Sequence, residues 1–424
     1  MKCFRKWLFL EMICVAQFAA AEIVYVADSA SNSVSVVDMA TSTITTSVTV
    51  GSHPFGIAIN PIGTKAYITN IVSGSVSVLD TKTNTVLSTI GVGKYPFEIV
   101  INSAGTKGYV VNSASANMSI IDLNLEKVIA TIPVESTPQA LVLNSDSTKA
   151  YVVNHGSASV SVIDLNLEKV IATIRVGADP QGITIHPDGS RLYVANKKAN
   201  NISVIDANNH SIIANIPVGI APQGVAIHPD GSRLYVTNNG DNVPNQDDTI
   251  SVIDTNTNQV ISTVKVGNRP FSISVNPTGT RIYVSNHVSS TISVIDASTH
   301  QVVSTIGVGT YPWSAVVVST SQCGVFTSPN MKLRCVKVGD ETYQATLKVI
   351  SNNPTRLEVD ANTLLKQPLT PDSECAVYLP ASSSDPLNKL RINCLEIGSD
   401  KHRMDLNLIN ANPIQFEILN SAKN

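Results

Sequence analysis

Short apolar runs and turn-forming residues alternate along the chain from about residue 23 to residue 318. The stretch Pro180–Gly219 shows the unit: four runs, GITI, RLYVAN, NISVID and SIIANI, are separated by Pro-Asp-Gly-Ser, an Asn/Lys cluster and Ala-Asn-Asn-His. Runs of apolar and β-branched residues bounded by turn formers are typical of β-strands. The unit therefore predicts four antiparallel strands, in a sheet with two largely apolar faces that cannot be buried without neighbours.

Copies of this unit recur at a nearly constant spacing of 42 residues, with one step of 48. The Tyr of a Tyr-Val-x-Asn motif recurs seven times, at Tyr25, Tyr67, Tyr109, Tyr151, Tyr193, Tyr235 and Tyr283. The Asp that ends the third run keeps the same phase, at Asp38, Asp80, Asp122, Asp164, Asp206, Asp254 and Asp296. The Pro that begins the first run does so too, at Pro54, Pro96, Pro138, Pro180, Pro222, Pro270 and Pro312.

Four strands in a unit of about 42 residues are typical of β-propeller blades. We therefore predict an all-β, seven-bladed propeller of four-stranded antiparallel blades over residues 22–319. The first copy lacks a Pro-led first strand, whereas the last Pro begins Trp313–Val318 and the pattern then stops. We expect Trp313–Val318 to be the innermost strand of the blade otherwise made by residues 24–50, because this closure removes the open sheet edges.

The motif Tyr-Val-x-Asn, followed by Ser-Val-x-Ile-Asp and Val-x-x-Thr-Ile-x-Val-Gly, resembles the YVTN family of β-propeller repeats. That family is found in archaeal surface-layer proteins and bacterial periplasmic propellers, and it is distantly similar to the haem-binding cytochrome d1 propeller. The resemblance covers about residues 23–318. It implies the fold but not one function, because propellers host unrelated activities.

The amino-terminal residues predict export. Residues 1–21 combine a basic start, an apolar centre and an Ala-x-Ala ending, which is the pattern of a secretory signal peptide with cleavage before Glu22. The apolar part is too short for an uncleaved membrane anchor, so we expect no transmembrane segment after cleavage. We therefore expect a protein of the periplasm, the cell surface or the extracellular medium, and we expect it to be a monomer.

Residues 320–424 lose the repeat pattern and predict a separate β-rich, sandwich-like domain. Their apolar runs are Met331–Val338, Tyr343–Ile350, Cys375–Leu379, Leu390–Ile397, Arg403–Ile409 and Ile414–Leu419. The four cysteines that follow the signal peptide all lie here, at Cys323, Cys335, Cys375 and Cys394. An even number of cysteines in an exported chain predicts two disulfides, and three connectivities are open.

Positions shared by all copies are explained by the fold, so functional residues are sought where the copies differ. The residues on either side of the periodic Pro differ, and they are expected to line one mouth of the central channel. Those before the Pro include His53, Tyr95, Arg269 and Tyr311, and those after it are Phe55, Phe97, Gln139, Gln181, Gln223, Phe271 and Trp313. Around a closed ring the aromatic residues after the Pro occupy four consecutive blades and the glutamines occupy the other three.

Two interpretations of this ring remain open. Aromatic rings and a cation on one side and amides on the other form a pocket suited to a sugar, a peptide or a nucleic-acid base. Alternatively, these side chains only pack between blades and the pattern reflects duplication of the repeat.

The extra six residues before Tyr283 contribute an acidic loop, Asn239–Thr249. Its carboxylates, Asp241, Asp247 and Asp248, are hard oxygen ligands of the kind that calcium prefers, although their spacing matches no known calcium loop. The alternative is a solvated loop at the rim of the channel. Apart from this calcium ion, no cofactor is predicted.

Composition restricts the functions. The net charge is −3, and residues 22–319 carry 20 acidic against 15 basic side chains, so nucleic acid is an unfavourable partner. No Gly-x-Ser-x-Gly or Cys-x-x-Cys-His motif is present. We expect a non-catalytic binding scaffold whose partner is a glycan, a peptide or a surface protein. The alternatives are an enzyme or cofactor handler of the lactonase, lyase or haem d1 kind, which the resemblance permits, and a single-stranded nucleic-acid binder.

Overall fold

The computed structural model describes residues 22–61, 63–240 and 247–319, together with the backbone of the strands between 324 and 423. The predicted signal peptide, residues 1–21, lies outside the described residues. Among the helices of the described part, none is long and apolar enough to span a bilayer.

Residues 22–319 form seven four-stranded antiparallel sheets, which confirms the predicted propeller. The first, innermost strands are Pro54–Ile59, Pro96–Ile101, Pro138–Leu143, Pro180–Ile185, Pro222–Ile227, Pro270–Val275 and Pro312–Ser319. The second strands are Glu22–Asp28, Lys65–Asn70, Lys107–Asn112, Lys149–Asn154, Arg191–Asn196, Arg233–Asn238 and Arg281–Asn286.

The third strands are Ser33–Asp38, Ser75–Asp80, Asn117–Asp122, Ser159–Asp164, Asn201–Asp206, Thr249–Asp254 and Thr291–Asp296. The fourth, outermost strands are Thr43–Thr49, Thr85–Gly91, Lys127–Pro133, Lys169–Arg175, Ile212–Pro217, Gln259–Lys265 and Gln301–Gly307. Two 3-10 turns, Ser113–Ser115 and His155–Ser157, follow the second strands of the third and fourth blades.

The ring closes as the sequence predicts. Pro312–Ser319 pairs antiparallel with Glu22–Asp28, and Val24 lies opposite Val317. The closing sheet therefore takes its innermost strand from the end of the repeats and its other three strands from the beginning. This pairing covers the inner edge of Glu22–Asp28, which would otherwise be exposed.

Burial explains the pattern of the repeat. The second and third strands are buried along nearly their whole length, because blades pack against both of their faces; Lys65–Asn70 and Ser75–Asp80 are examples. The outermost strands are largely exposed and bury chiefly one apolar residue, such as Ile90. Apolar clusters join one blade to the next, and the motif Tyr contributes to them; Tyr67, for instance, packs with Val110 of the following blade.

The repeated polar residues have structural roles. The motif Asn is fully buried, and Asn70 donates from its amide nitrogen to the hydroxyls of Ser75 (3.2 Å) and Ser77 (2.9 Å) in the third strand. The Asp that ends the third strand caps the next turn: the Asp80 carboxylate accepts from the backbone N–H groups of Lys82 (2.9 Å) and Thr83 (2.8 Å). These bonds fix the turns and the strand register.

The carboxy-terminal residues contribute eight strands, Gly324–Thr327, Asn330–Val338, Glu341–Asn352, Thr355–Gln367, Ala376–Leu379, Lys389–Ile397, Asp400–Ala411 and Ile414–Lys423. They pair in one sheet, in which the short strands Gly324–Thr327 and Ala376–Leu379 both bridge Asn330–Val338 to Lys389–Ile397. Six strands coincide with the predicted apolar runs, and Gly324–Thr327 and Thr355–Gln367 were not predicted. The sandwich-like packing of these strands stays a prediction, because it depends on side chains outside the described residues, and the disulfides of the four cysteines stay a prediction for the same reason.

Candidate functional site

The loop that enters each innermost strand has the same backbone conformation in all seven blades. The residue before the Pro adopts a left-handed φ between +52° and +59°, in His53, Tyr95, Thr137, Asp179, Ala221, Arg269 and Tyr311. This conformation is unfavourable for a residue with a side chain, and more so before proline. Its carbonyl accepts a bond from the N–H that follows the motif Asn or Asp, as in Ile71 to His53 (2.9 Å). These bonds hold the loop at the channel mouth.

A β-bulge follows the Pro in every innermost strand. Pro54 pairs with Asn70 and Ile57 pairs with Ile68, so Phe55 and Gly56 together oppose one residue. Equivalent register shifts occur in the other six blades. A bulge interrupts the alternation of side chains between the two faces of a strand. Side chains from both positions after the Pro can therefore face the channel.

The aromatic residues of four consecutive blades pack against one another. The Phe55 ring lies 4.7 Å from that of Phe97, 5.0 Å from that of Trp313 and 5.9 Å from that of Phe271, measured between ring centroids. The Phe271 and Trp313 rings meet edge to face at 4.2 Å. Such geometries are the favourable ones for aromatic pairs. The rings thus form one cluster along one side of the channel.

His287 joins this cluster from the turn after its second strand. Its imidazole stacks on Tyr311 at 4.8 Å and lies 4.3 Å from the Trp313 ring. Burial, with a smaller contribution from the Arg269 charge, lowers the pKa of His287 to about 4, although a bond with the Pro312 backbone opposes the shift. His287 is therefore neutral at physiological pH and acts as an aromatic packing group.

The glutamine side of the channel carries polar groups. The Gln181 amide nitrogen donates to Asp179 Oδ1 (2.5 Å) and lies 2.9 Å from His155 Nδ1, which is itself 2.6 Å from Asp179 Oδ1. Lys198 Nζ lies 3.9 Å from the other oxygen of Asp179. Gln223 is only 6% exposed, and its side-chain oxygen is buried without a hydrogen-bond donor in the described structure.

The two sides enclose a cavity of about 230 Å³ in the channel. Of the predicted site residues, six line it, namely Phe55, Gln139, Gln181, Gln223, Phe271 and Trp313. The others do not: Phe97 packs edge to face against Phe55 without lining the cavity, and His53, Tyr95, Arg269 and Tyr311 lie on the loops at the mouth. Tyr95 and Tyr311 are 53% and 45% exposed there.

Glu98, which was not among the predicted site residues, also lines the cavity. The other six blades have only Gly, Ala or Ser at this second position after the Pro. A glutamate in a single copy is therefore the sequence signal that could have identified Glu98 as a site residue. Strict alternation along a strand places this residue on the face opposite Phe97, away from the channel, and the bulge overrides that expectation. Burial raises the pKa of Glu98 to about 7.

The acidic loop lies only partly within the described residues, because Asp241 falls outside them. Asp247 accepts a bond from the Ile220 N–H (3.0 Å), and Asp248 accepts one from the Arg269 N–H (2.8 Å). Asp248 thus has the same role as Asn32, whose side-chain oxygen accepts from the His53 N–H (2.9 Å) in the equivalent loop. The described part of the chain contains no group of three His, Cys, Asp or Glu side chains that could hold a metal ion. The calcium site stays a prediction.

Comparisons with known proteins agree with this architecture. The model of the YNCE-like beta-propeller family matches residues 8–127 and 126–233, which is more than half of the 424 residues. No curated protein matches the chain.

Three similar solved structures show the fold. Hydrazine synthase of Kuenenia stuttgartiensis is 22% identical, with 63% of this chain and 90% of that chain covered and a TM-score of 0.58. A functionally unknown protein from Desulfotomaculum acetoxidans is 18% identical, over 66% and 92%, with a TM-score of 0.53. A Bacteroides uniformis protein described as a candidate 6-phosphogluconolactonase is 14% identical, over 71% and 100%, with a TM-score of 0.61.

Proposed function

Because this chain belongs to the YNCE-like β-propeller family, we propose that it is an exported binding scaffold that holds one small group of its partner in the channel cavity. The observation that carries the proposal is the composition of the cavity wall. Aromatic rings line one side, glutamine amides line the other, and the Gln223 oxygen has no donor in the described structure. A buried acceptor without a donor is costly, and a ligand that donates to it removes the cost.

The size of the cavity limits what enters it. Sites for drug-sized ligands measure roughly 300–1,000 Å³, and the cavity of about 230 Å³ lies below that range. A single sugar ring or one peptide side chain fits this description better than a dinucleotide or a haem. The rest of a larger glycan or peptide would extend over the mouth, where Tyr95 and Tyr311 are exposed.

Binding of the purified protein to glycan and peptide arrays tests the proposal. Trp313→Ala removes a ring from the cavity wall and should weaken binding at least about tenfold, since aromatic anchors carry much of the free energy of binding. Phe97→Ala is the matched control, because Phe97 belongs to the same cluster but does not line the cavity.

Trp313 lies in the closing strand, so a second variant guards against loss of folding. Gln139→Leu changes a cavity-lining amide to an apolar group of similar size in another blade. Binding that is unchanged in both Trp313→Ala and Gln139→Leu would place the ligand elsewhere and contradict the proposal.

The carboxy-terminal strands would supply a second contact or an anchoring module, and export would deliver the protein to the periplasm or the cell surface. An enzyme or cofactor handler is the competing proposal. Metal analysis and the visible absorption spectrum of the purified protein test it directly. Salt-dependent retention on single-stranded DNA would revive nucleic-acid binding.

A further inference from the structure

Glu98 is the one ionisable side chain among the described residues that line the channel cavity. Its neighbours in the wall are aromatic, aliphatic, small or amide side chains. It belongs to the innermost strand of the third blade and is part of the cavity wall. Glu98 is half-buried in this wall and is not a fully exposed surface acid.

Glu98 lacks a protein partner in the described structure. Burial is the sole cause of the shift in its pKa, with no contribution from a hydrogen bond or a neighbouring charge. An ionised carboxylate taken out of water costs several kcal/mol unless a cation or hydrogen-bond donors accompany it. Since Glu98 is half-buried and has no such partner in the described structure, a cationic ligand in the cavity would stabilise its ionised form.

A second side chain in the same wall also lacks a hydrogen-bond partner. The buried oxygen of Gln223 is a hydrogen-bond acceptor without a donor among the described residues. Gln223 is in the sixth blade and Glu98 in the third, so they lie on opposite sides of a seven-membered ring. Two acceptors without donors in the wall of one cavity favour a ligand that carries donors and no negative charge.

The rings in the wall add a preference for positive charge. Phe55, Phe271 and Trp313 line the cavity together with Glu98. A cation close to an aromatic face is attracted by the ring, and the attraction strengthens when water is excluded. Carboxylate and rings together are the usual chemical environment of a bound ammonium group.

We propose that the group held in the channel is a small ammonium cation, with Glu98 as its counter-ion and Gln223 as a hydrogen-bond acceptor for a donor on the same ligand. The inference rests on the proposed binding function and specifies its ligand class. Amino sugars, primary amines and quaternary amines that carry a hydroxyl group belong to this class.

Isothermal titration calorimetry with three probes on the full-length protein tests the inference. The probes are choline, ethanolamine and the neutral carbon analogue of choline, in which a tert-butyl group replaces the trimethylammonium group. We expect at least one cationic probe to bind about tenfold or more tightly than the neutral analogue, since charge and ring contacts favour only the cation.

Glu98→Gln keeps the size of the side chain and removes its charge, so it should abolish the preference for the cation. Glu168→Gln is the matched control, because it removes one negative charge at an exposed position on another blade and should leave the preference intact. Gln223→Leu should weaken the hydroxyl-bearing cationic probes without removing their preference over the neutral analogue.

Three outcomes would overturn the inference: equal binding of the cationic and neutral probes, a preference that persists in Glu98→Gln, and no binding of any probe to the wild-type protein. Equal binding would indicate that Glu98 stays protonated and donates to a neutral ligand. The array measurement tests the proposed function separately. If a neutral glycan or peptide binds and its binding is lost in Trp313→Ala, the proposed function holds and only the inference of a cationic ligand fails.

Discussion

Replacing Asp28 by asparagine should make the propeller more stable at neutral pH. Asp28 occupies the position that holds Asn in the other six blades, Asn70, Asn112, Asn154, Asn196, Asn238 and Asn286. Asp28 is fully buried in the closing blade, and its Oδ2 accepts from the Ser35 hydroxyl (2.6 Å) and the Ser35 N–H (3.1 Å). The backbone of Gly309 packs directly against its carboxyl group.

The size of the effect follows from the buried charge. Burial raises the pKa of Asp28 from 3.8 to about 6, although the bonds from Ser35 and Gly309 oppose the shift. Between these two pH values the folded protein keeps a proton that the unfolded chain releases, so stability falls as pH rises through this window. A shift of two pKa units corresponds to about 3 kcal/mol, because one unit is worth about 1.4 kcal/mol.

The asparagine side chain of the Asp28→Asn variant cannot ionise, so the variant escapes this loss. An amide nitrogen at this position can donate to the Ser35 hydroxyl, as Asn70 does to Ser77 at 2.9 Å. It cannot accept the Ser35 N–H, and losing that bond costs about 1 kcal/mol at every pH. The variant should therefore be near or slightly below the wild type at pH 4 and more stable by about 2 kcal/mol at pH 8.

Thermal unfolding followed by circular dichroism at the two pH values measures the difference. The change in Tm caused by Asp28→Asn should be about 5 °C more favourable at pH 8 than at pH 4, given roughly 2 °C per kcal/mol for a domain of this size. Asn70→Asp is the matched control and should show the opposite pH dependence. A change in Tm that is equal at pH 4 and pH 8 would refute the reasoning.

Two further predictions concern the closure of the ring and the contact between neighbouring blades. A chain that ends at residue 311 lacks the closing strand and exposes the inner edge of Glu22–Asp28, so it should aggregate in size-exclusion chromatography. A chain that ends at residue 319 is the control and should elute as a folded monomer; monomeric behaviour of the shorter chain would contradict the role of the closure. Thr237→Val should destabilise the propeller by about 1–3 kcal/mol in denaturant unfolding, because the Thr237 hydroxyl accepts from the Gly224 N–H (2.8 Å) and donates to the Phe271 carbonyl of the next blade (2.9 Å). Val is native at the equivalent positions Val111 and Val153, so an unchanged midpoint would mean that these bonds contribute no net stability.

The repeat made the architecture predictable from the sequence. Seven copies of one motif fix the number of blades, and the missing first strand of the first copy predicts that Pro312–Ser319 completes it. Few other arrangements bury both faces of every sheet. A residue present in every copy, such as the Asp that ends each third strand, is explained by what every copy shares.

The site was predictable only in part. Gln139, Gln181, Phe271 and Trp313 were expected at the channel from their phase, and they line its cavity. The same position in the repeat gave no reason to separate Phe97, which contacts Phe55 but does not line the cavity, from the rings that do. The position of a residue within the repeat predicts where it lies along the axis of the ring. How far its side chain reaches into the channel depends on the sizes of the side chains around it.

The sequence by itself determined the periodicity, the strand pattern and the closure of the ring, because these depend on the spacing of apolar residues and turns along one chain. Only the tertiary structure decided that Glu98 reaches the cavity, that His287 is buried among the rings and that the Gln223 oxygen lacks a donor among the described residues. These features arise from the bulge after each Pro and from contacts between residues of different blades. The environment of a side chain in a narrow channel is set by all seven innermost strands together, so no single repeat encodes it.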